Sequence, residues 1–382
     1  MLEEAVVIDN GSNTCKIGFS DDDMPREIPT VVGYPSDLDE KDILSDQMDI
    51  FVGEEALSKG GILKNYYPIR NGILKEQDKM REIWKHIFYN ELIAETKSHP
   101  VILTEAPFSD YNNKREMAEI LFEKLNVEQL YIANSSTLAL YANGKTTGVV
   151  IDIGYQTTSF VPIYEGFVLN HAVSKVDMGG QDLTEYLCQL IAQNKDNPKY
   201  TTTSEKAMIN TLKEQICEVA KDYDSQLKKC MDQKTFQTYT LPDKNVIYIS
   251  GEKFKCPEML FQPNVCHKEI SGTMSEQLYG IHEQTHRAIK KCDEDIQKDL
   301  YLNAVLCGGS SLFMKIKPRF EKDLRSLAPT GKIVKVIAPP ERKYSAWLGG
   351  AILASLDEFK KTMFVTKKEY NESGTSIYNK FF

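Results

Sequence analysis

Long apolar runs, paired cysteines and an excess of positive charge are all missing from this 382-residue sequence. No segment approaches the roughly 18 to 20 consecutive apolar residues that a membrane-spanning helix needs. The formal net charge of −9 argues against nucleic-acid binding, which normally requires a basic surface. These absences predict a protein that neither inserts into a membrane nor binds nucleic acid.

The eight cysteines are scattered without a C-x-x-C pair, and the start of the chain lacks the features of a secretory leader. MLEEAVVIDNG has acidic residues where such a leader needs basic residues followed by an apolar stretch. We therefore expect a cytoplasmic protein with reduced thiols. Its length and its hydrophobic content of 41% predict a globular chain of two or three domains.

The most informative feature that is present is a short internal repeat. Residues 6–11 read VVIDNG and residues 149–154 read VVIDIG. Each copy is a short β-branched run, typical of a buried strand, that leads into Asp and then Gly. The repeat predicts two related domains that face one another. The alternative is a chance match, since six-residue matches do occur in chains of this length.

The two aspartates of the repeat, Asp9 and Asp152, are candidate ligands of a hydrated Mg²⁺. A carboxylate at a strand end can hold the ion through water, while backbone N–H groups of the following turn meet phosphate oxygens. Lys16 lies just beyond the first turn and would add a positive charge beside the phosphates. The alternative is that both aspartates only cap turns.

The residues between and after the repeats alternate between predicted helices and strands, which favours a mixed α/β architecture. Asp110 or Asn112 can cap the second helix, and Thr202 with Glu205 has capping-box spacing before the third. Amphipathic helices are expected over residues 78–94, 112–125 and 203–223. Loops are expected over residues 33–53 and 193–202.

Two further motifs have more than one interpretation. Gly308 and Gly309 follow a short apolar run, so they allow either close approach to a flat ligand such as adenine or a simple turn. Residues 282–286 read HEQTH, which matches the zinc motif H-E-x-x-H. No suitably placed third ligand follows, so an exposed polar helix is the favoured interpretation.

Segments along nearly the whole chain resemble actin, in the expected order. They include DNGSNTCKIGF at 9–19, HPVILTEAPFS at 99–109, TTGVVIDIG at 146–154, DLYLNAVLCGGSSLF at 299–313 and PPERKYSAWLGGAILASL at 339–356. The resemblance implies the α/β actin-like ATPase fold, with two lobes of duplicated strand–helix domains around a central nucleotide cleft. GIHE at 280–283 belongs to the same pattern, which makes the zinc motif a coincidence.

The resemblance also implies four subdomains. The large subdomain of the first lobe would comprise residues 1–32, 68–142 and 345–382, and its small subdomain residues 33–67. The large subdomain of the second lobe would comprise residues 143–178 and 273–344, and its small subdomain residues 179–272.

The implied ligands are ATP or ADP with Mg²⁺ or Ca²⁺, and Asp9 and Asp152 would hold the metal ion through waters. The phosphate loops would supply Gly11, Ser12, Asn13, Thr14, Lys16, Gly154, Tyr155, Gln156 and Thr157. The adenosine end would be bound by Gly180, Asn210, Lys213, Glu214, Gly308, Gly309, Ser310, Leu312, Phe313 and Lys343.

Departures from the actin pattern concern catalysis first. Actin places a Gln and a His near the γ-phosphate to orient the attacking water, and Ser135 and Ser159 stand at these positions. A serine hydroxyl is shorter and cannot relay a proton as an imidazole does, so we expect weak or absent hydrolysis. Further departures near the implied ligand are Asn13, Tyr155, Gln156 and Asn210.

Two surface segments depart as well. Residues 34–52 match the actin loop that grips the next subunit but are unrelated in sequence, and residues 264–279 are longer than their actin counterpart. We expect both segments to be exposed and to govern which partners the chain accepts.

The sequence therefore favours an ATP-binding structural subunit of a cytoskeletal filament or of a larger cytoskeletal, ciliary or dynein-linked complex. Expected partners are further copies, other actin-family subunits, and actin-binding or motor-associated proteins. The expected location is the cytoplasmic cytoskeleton, with cilium and nucleus left open. The alternatives are a conventional polymerising actin ATPase, a chromatin-complex subunit, and a sugar kinase or chaperone-type ATPase of the same superfamily fold.

Overall fold

The computed structural model of the chain describes residues 4–35, 50–233, 236–264, 278–373 and 380. The chain divides into two compact units, which we call unit 1 (residues 1–146 with 344–382) and unit 2 (residues 147–343). Each unit is built on a six-stranded sheet with helices, so the predicted mixed α/β class is confirmed. The finer division into four subdomains stays a prediction.

The strands are numbered in chain order. They are β1 (Val6–Asp9), β2 (Thr14–Phe19), β3 (Arg26–Pro29), β4 (Val32–Pro35), β5 (Phe51–Val52), β6 (Leu63–Tyr66), β7 (Ile69–Arg70), β8 (Ile73–Leu74), β9 (Val101–Glu105), β10 (Gln129–Asn134), β11 (Gly148–Ile153), β12 (Thr158–Tyr164), β13 (Phe167–Val168), β14 (Ser174–Val176), β15 (Gln237–Thr240), β16 (Val246–Ile249), β17 (Ala304–Cys307), β18 (Val336–Ile337) and β19 (Val365–Thr366).

The α-helices are numbered in the same way. They are α1 (Glu54–Ser58), α2 (Gln77–His86), α3 (Tyr111–Glu119), α4 (Ser135–Tyr141), α5 (Gly180–Gln193), α6 (Thr203–Ile216), α7 (Tyr223–Gln233), α8 (Glu252–Glu258), α9 (Ile281–Lys290), α10 (Glu294–Leu302), α11 (Ile316–Leu327), α12 (Ser345–Ser355), α13 (Asp357–Thr362) and α14 (Lys367–Ser373). Shorter π-helical turns cover Ile87–Glu91 and Ile120–Lys124, and 3₁₀ turns cover Asn170–Ala172, Gly309–Leu312 and Arg342–Tyr344.

The main sheet of unit 1 has the order β19-β10-β9-β1-β2-β3. Strand β1 lies inside it, antiparallel to β2 and parallel to β9. All four residues of β1 are buried, as expected for a strand with both faces covered. The unit also contains a three-stranded sheet, β5-β4-β6, and the β7–β8 hairpin.

The main sheet of unit 2 repeats this arrangement. Its order is β13-β12-β11-β17-β18, with β14 paired to β12, and the β15–β16 hairpin lies apart from it. Strand β11 is antiparallel to β12 and parallel to β17, just as β1 is to β2 and β9. The two copies of the sequence repeat therefore occupy equivalent positions in their sheets.

The capping box predicted before α6 is present. The Thr202 hydroxyl accepts from the backbone N–H of Glu205, and the Glu205 carboxylate accepts from the backbone N–H of Thr202. The predicted end of this helix at residue 223 is wrong, because α6 ends at Ile216. Val219 instead donates its N–H to the carbonyl of Met314 at 2.9 Å, a tertiary contact that helical spacing does not reveal.

The predicted helices 78–94 and 112–125 are present but do not stay α-helical to their ends. Helix α3 is capped by Asp110, whose carboxylate accepts from the N–H of Asn113 at 2.9 Å. Both helices continue into a π-helical turn and then reach a residue with positive φ, Ile93 at 52° and Asn126 at 57°. Such a left-handed residue is a common way to end a helix.

Ile93 is poorly suited to its position, because a β-branched residue is strained at positive φ. Its side chain is 85% exposed, so little packing is lost when it is replaced. We expect Ile93→Asn to raise the free energy of unfolding by about 1 kcal/mol, because asparagine tolerates this conformation. Urea unfolding measures the change, with Ile93→Val as the control that keeps the strain. A loss of stability in Ile93→Asn would contradict the assignment of strain.

The predicted loop at 33–53 is wrong at both ends. Strand β4 pairs with β5 and with β6, so residues at each end of the segment belong to a sheet. The exposure expected for residues 34–52 is also wrong at these ends, because Tyr34 and Val52 are buried. Residues 36–49 lie outside the described part of the chain, as do residues 265–277 of the second predicted contact segment. The loop predicted at 193–202 is confirmed over residues 194–202, because α5 includes Gln193 and α6 begins at Thr203. Within the described ranges, no helix is both long and apolar enough to cross a bilayer.

Candidate functional site

The first candidate aspartate, Asp9, ends β1 and is only 8% exposed. One carboxylate oxygen accepts from the hydroxyl of Thr104 at 2.8 Å, and the other lies 3.8 Å from the Nζ of Lys16. Lys16 also donates to the carbonyl of Thr14 at 3.3 Å. The fold thus brings the predicted carboxylate and the predicted cation together at the end of the strand.

The turn that follows Asp9 is held by side chains from three neighbouring segments of unit 1. Thr30 donates its hydroxyl to the carbonyl of Gly11 at 2.8 Å. Asn10 donates its N–H to the Thr104 hydroxyl at 2.9 Å and accepts from the Trp84 indole at 3.2 Å. A Cβ at Gly11 would lie 2.4 Å from the carbonyl oxygen of Thr14, so this turn requires glycine. The turn is therefore held in one conformation.

Ser135 lies at the same sheet edge as Asp9. Strands β1, β9 and β10 are parallel, and Asn134 at the end of β10 is aligned with Glu105 at the end of β9. Ser135 begins α4 directly after this strand, and the Asn134 side chain caps that helix by accepting from two backbone N–H groups. The carboxyl edge of parallel strands is where α/β proteins bind ligands.

The second candidate aspartate, Asp152, lies near the end of β11 in unit 2. Its neighbours across the sheet are Ser159 on β12 and Cys307 on β17. Ser159 is buried. Gly308 has a φ of 84°, and a Cβ there would lie 2.3 Å from a carboxylate oxygen of Asp152. Gly308 is therefore required for the close approach of Asp152, in addition to any role toward a ligand.

The turn after β11 meets two other segments of unit 2. The carbonyl of Gly154 accepts from the N–H of Gly180 at 3.0 Å and from the hydroxyl of Ser310 at 2.9 Å. The carbonyl of Tyr155 accepts from the N–H of Gln181 at 2.8 Å. The start of α5 and the segment after β17 are thus hydrogen-bonded to the predicted phosphate turn.

The residues predicted for the adenosine end lie around the start of α5. Lys213 is buried and donates to the Gly180 carbonyl, and burial lowers the pKa of its ammonium. Asn210 donates its amide to the Glu214 carboxylate at 2.9 Å. Within the 308–313 segment, a side chain at position 309 would contact Lys343, whereas Leu312 is exposed and Phe313 is buried.

Sequence reasoning did not single out Thr104, Thr30 or Glu105. Thr104 and Glu105 end the apolar run of β9, which is the same signal that identified Asp9. Glu105 lies 2.9 Å from Lys114, and burial raises the pKa of its carboxyl although Lys114 opposes the shift. Thr30 gives no comparable signal, because its contact with the turn depends on strand pairing.

The exposed polar helix expected at the H-E-x-x-H motif is wrong, because α9 buries one face, with Ile281, Thr285, Ala288 and Ile289, and its two histidines are half-buried with different neighbours. His286 hydrogen-bonds through Nδ1 to the Tyr301 hydroxyl at 2.8 Å. His282 stacks on Phe261, with ring centroids 6.1 Å apart. In the ranges that the structure describes, no cluster of three or more His, Cys, Asp or Glu side chains that could hold a metal ion is present.

A protein-family model described as Actin matches residues 2–382, which is nearly the whole chain. The mixed α/β sheets and helices of both units agree with the actin-like fold. By the extent of this match, the chain belongs to the actin family.

Proposed function

We propose that this chain binds ATP or ADP together with Mg²⁺ or Ca²⁺ and serves as a structural subunit of a cytoskeletal assembly. Actin-family proteins generally bind a nucleotide and a divalent cation. One observation carries the proposal for this chain. In each unit, an aspartate near the end of a buried strand precedes a turn that is held in place by hydrogen bonds, at Asp9 and at Asp152.

The proposed roles follow from these neighbours. Asp9 and Asp152 would hold the cation through water molecules, and Lys16 would meet the phosphates. The backbone N–H groups of the two turns would bind phosphate oxygens. The adenosine end would be bound beside the start of α5, where Glu214 is exposed and can accept from a ribose hydroxyl.

Thermal unfolding with and without Mg-ATP tests the binding proposal. At about 100 times its dissociation constant, a ligand adds roughly 2.7 kcal/mol to stability, so the midpoint should rise clearly. The rise should be largely lost in Asp9→Asn and Asp152→Asn, whereas Asp196→Asn in the exposed loop after α5 should keep it. If the native chain shows no rise and no nucleotide co-purifies, the nucleotide proposal fails.

We further propose that hydrolysis is weak or absent, because Ser135 and Ser159 replace the two groups that orient water in actin. Ser135 follows the carboxyl edge that bears Asp9, and Ser159 lies opposite Asp152 on the neighbouring strand. Neither short hydroxyl replaces the reach of the glutamine or the basicity of the histidine.

The double substitution Ser135→Gln with Ser159→His should therefore raise the rate of phosphate release by about tenfold or more, since a positioned acid–base group typically contributes on the order of 10² or more. Single-turnover release of phosphate from bound ATP measures the effect, with each single substitution as the comparison. Rapid release by the native chain would contradict the proposal.

The assembly role is proposed from the two surface segments that differ from actin. The two segments, residues 34–52 and 264–279, would together determine which neighbouring subunit the chain accepts. The base of the second segment is closed by Asn264, whose side chain bonds to both the N–H and the carbonyl of Leu278. We propose other actin-family subunits and actin-binding or motor-associated proteins as partners, and the cytoplasmic cytoskeleton as the location.

A further inference from the structure

The ammonium group of Lys213 has three N–H donors, and each has an acceptor within the protein. Nζ lies 2.7 Å from the carbonyl of Gly180, 2.8 Å from the hydroxyl of Thr184 and 2.8 Å from the amide oxygen of Asn210. The residue is only 3% exposed. A ligand could gain a hydrogen bond from Lys213 only by displacing one of these three acceptors.

Lys213 and one of its acceptors, Asn210, are on helix α6. The other two acceptors are in the first turn of helix α5. Gly180 is the first residue of α5, and Thr184 lies one turn further along the helix. An ammonium bonded to both residues ties the start of α5 to α6. The link is buried, so water does not compete with it as it does at the surface.

The start of α5 in turn holds the predicted phosphate turn. The N–H of Gly180 donates to the carbonyl of Gly154 at 3.0 Å, and the N–H of Gln181 donates to that of Tyr155 at 2.8 Å. The backbones are in close contact here, because a Cβ at Gly179, the residue before α5, would lie 2.6 Å from the carbonyl oxygen of Tyr155. A shift of α5 would therefore displace the turn.

We propose that Lys213 is a positioning residue, which holds the first turn of α5, and through it the turn at 154–157, rather than contacting the nucleotide. Asn210 completes the arrangement by supplying the third acceptor. This role differs from the direct ligand contact that the resemblance to actin implies for Lys213. Only the ligand-binding arm of the test rests on the proposed nucleotide function.

Hydrogen–deuterium exchange without ligand tests the positioning role directly. In Lys213→Met, the amides of Gly180 and Gln181 should exchange about tenfold faster or more, because their hydrogen bonds open more often. Lys206→Met is the matched control, since Lys206 also joins α6 to α5, through a 3.1 Å ion pair with Glu185 that is half exposed. In Lys206→Met, the amides of Gly180 and Gln181 should exchange within about twofold of the native rate, because such surface ion pairs contribute little to stability. Unchanged exchange in Lys213→Met would overturn the proposal.

Substitutions at Asn210 keep the test decisive if Lys213→Met does not fold. Asn210→Ala removes one acceptor and should speed exchange of the same two amides by about threefold or more. Asn210→Asp keeps an acceptor for Lys213 but would face the Glu214 carboxylate, to which the Asn210 amide donates. It is therefore combined with Glu214→Gln, and exchange of the same two amides in this double variant should stay within about twofold of the native rate. Equal exchange rates in the alanine and aspartate variants would contradict the role assigned to Asn210.

Binding of Mg-ADP and Mg-pyrophosphate then separates positioning from direct contact. If Lys213 positions the phosphate turn, Lys213→Met should lower the affinity for Mg-ADP and for Mg-pyrophosphate by the same factor, to within about threefold. If it contacts the nucleoside, only ADP binding should weaken, and the proposal would be wrong. If neither ligand binds the native chain, the proposed nucleotide function fails, while the exchange rates still decide the positioning role.

Discussion

Replacing Gly349 with alanine is expected to lower the free energy of unfolding by about 4 kcal/mol or more, which is an exceptional loss for one methyl group. Gly349 lies in helix α12 where it packs against α4. A Cβ at this position would lie 1.9 Å from the carbonyl oxygen of Leu138 and 2.5 Å from its carbonyl carbon. Both atoms belong to backbone, so no side-chain rotation relieves the overlap, and the two helices would have to separate.

The sign of the effect distinguishes this mechanism from helix propensity. Gly349 is inside a helix, where alanine is ordinarily favoured over glycine by about 1 kcal/mol. Urea unfolding and the yield of soluble protein measure the change. Gly61→Ala is the control, because nothing lies within 4 Å of a Cβ built at that position. If Gly349→Ala proves as stable as the native chain, the close packing of α12 on α4 is wrong.

The second large effect is expected at Arg319, which forms a buried ion pair in unit 2. Its guanidinium bonds to both oxygens of Glu258, at 2.8 and 3.0 Å, and Glu258 is only 1% exposed. It also bonds to Asp323 at 2.6 Å and lies 4.6 Å from the ring centre of Phe261. Arg319→Met removes the charge but keeps much of the volume. The expected loss is about 3 to 5 kcal/mol, because it leaves a buried carboxylate without its partner.

The loss at Arg319 should depend on pH in a defined direction. Burial raises the pKa of Glu258, and Arg319 opposes that shift, so removing Arg319 should raise this pKa further. A carboxyl whose folded pKa lies above its unfolded value destabilises the fold as the pH rises from the unfolded value through the folded one. The effect of Arg319→Met should therefore be largest at neutral pH. It should shrink as the pH falls through the folded-state pKa of Glu258.

Denaturant unfolding across this pH range, with two control variants, tests the explanation. The double substitution Arg319→Met with Glu258→Leu should recover much of the stability and lose the added pH dependence, because no unpaired charge remains buried. Arg325→Met removes an exposed partner of Glu321 and should cost about 1 kcal/mol or less. A loss in Arg319→Met that does not vary with pH would mean that packing, and not the charge of Glu258, explains it.

The sequence by itself identified the features that depend on neighbouring residues in the chain. The β-branched runs before Asp9 and Asp152 predicted buried strands, and the structure places both in equivalent sheet positions. The pairing of Thr202 with Glu205 predicted the start of α6. Family membership followed from motifs spread along the chain and agrees with the match over residues 2–382. Such signals are local, or they accumulate over the whole length, so one chain is enough to detect them.

Only the tertiary structure decided where distant residues meet. Val219, three residues beyond the end of α6 at Ile216, contacts Met314, and the need for Gly349 depends on the backbone of Leu138. The three acceptors around Lys213 come from two helices that are separated by a loop. Spacing and propensity describe what a segment favours alone, whereas these contacts arise from the packing of segments far apart in the chain. Packing can end a helix early and can make a helical glycine obligatory. It can also supply an acceptor for every N–H donor of a lysine, although resemblance alone assigns that lysine to ligand binding.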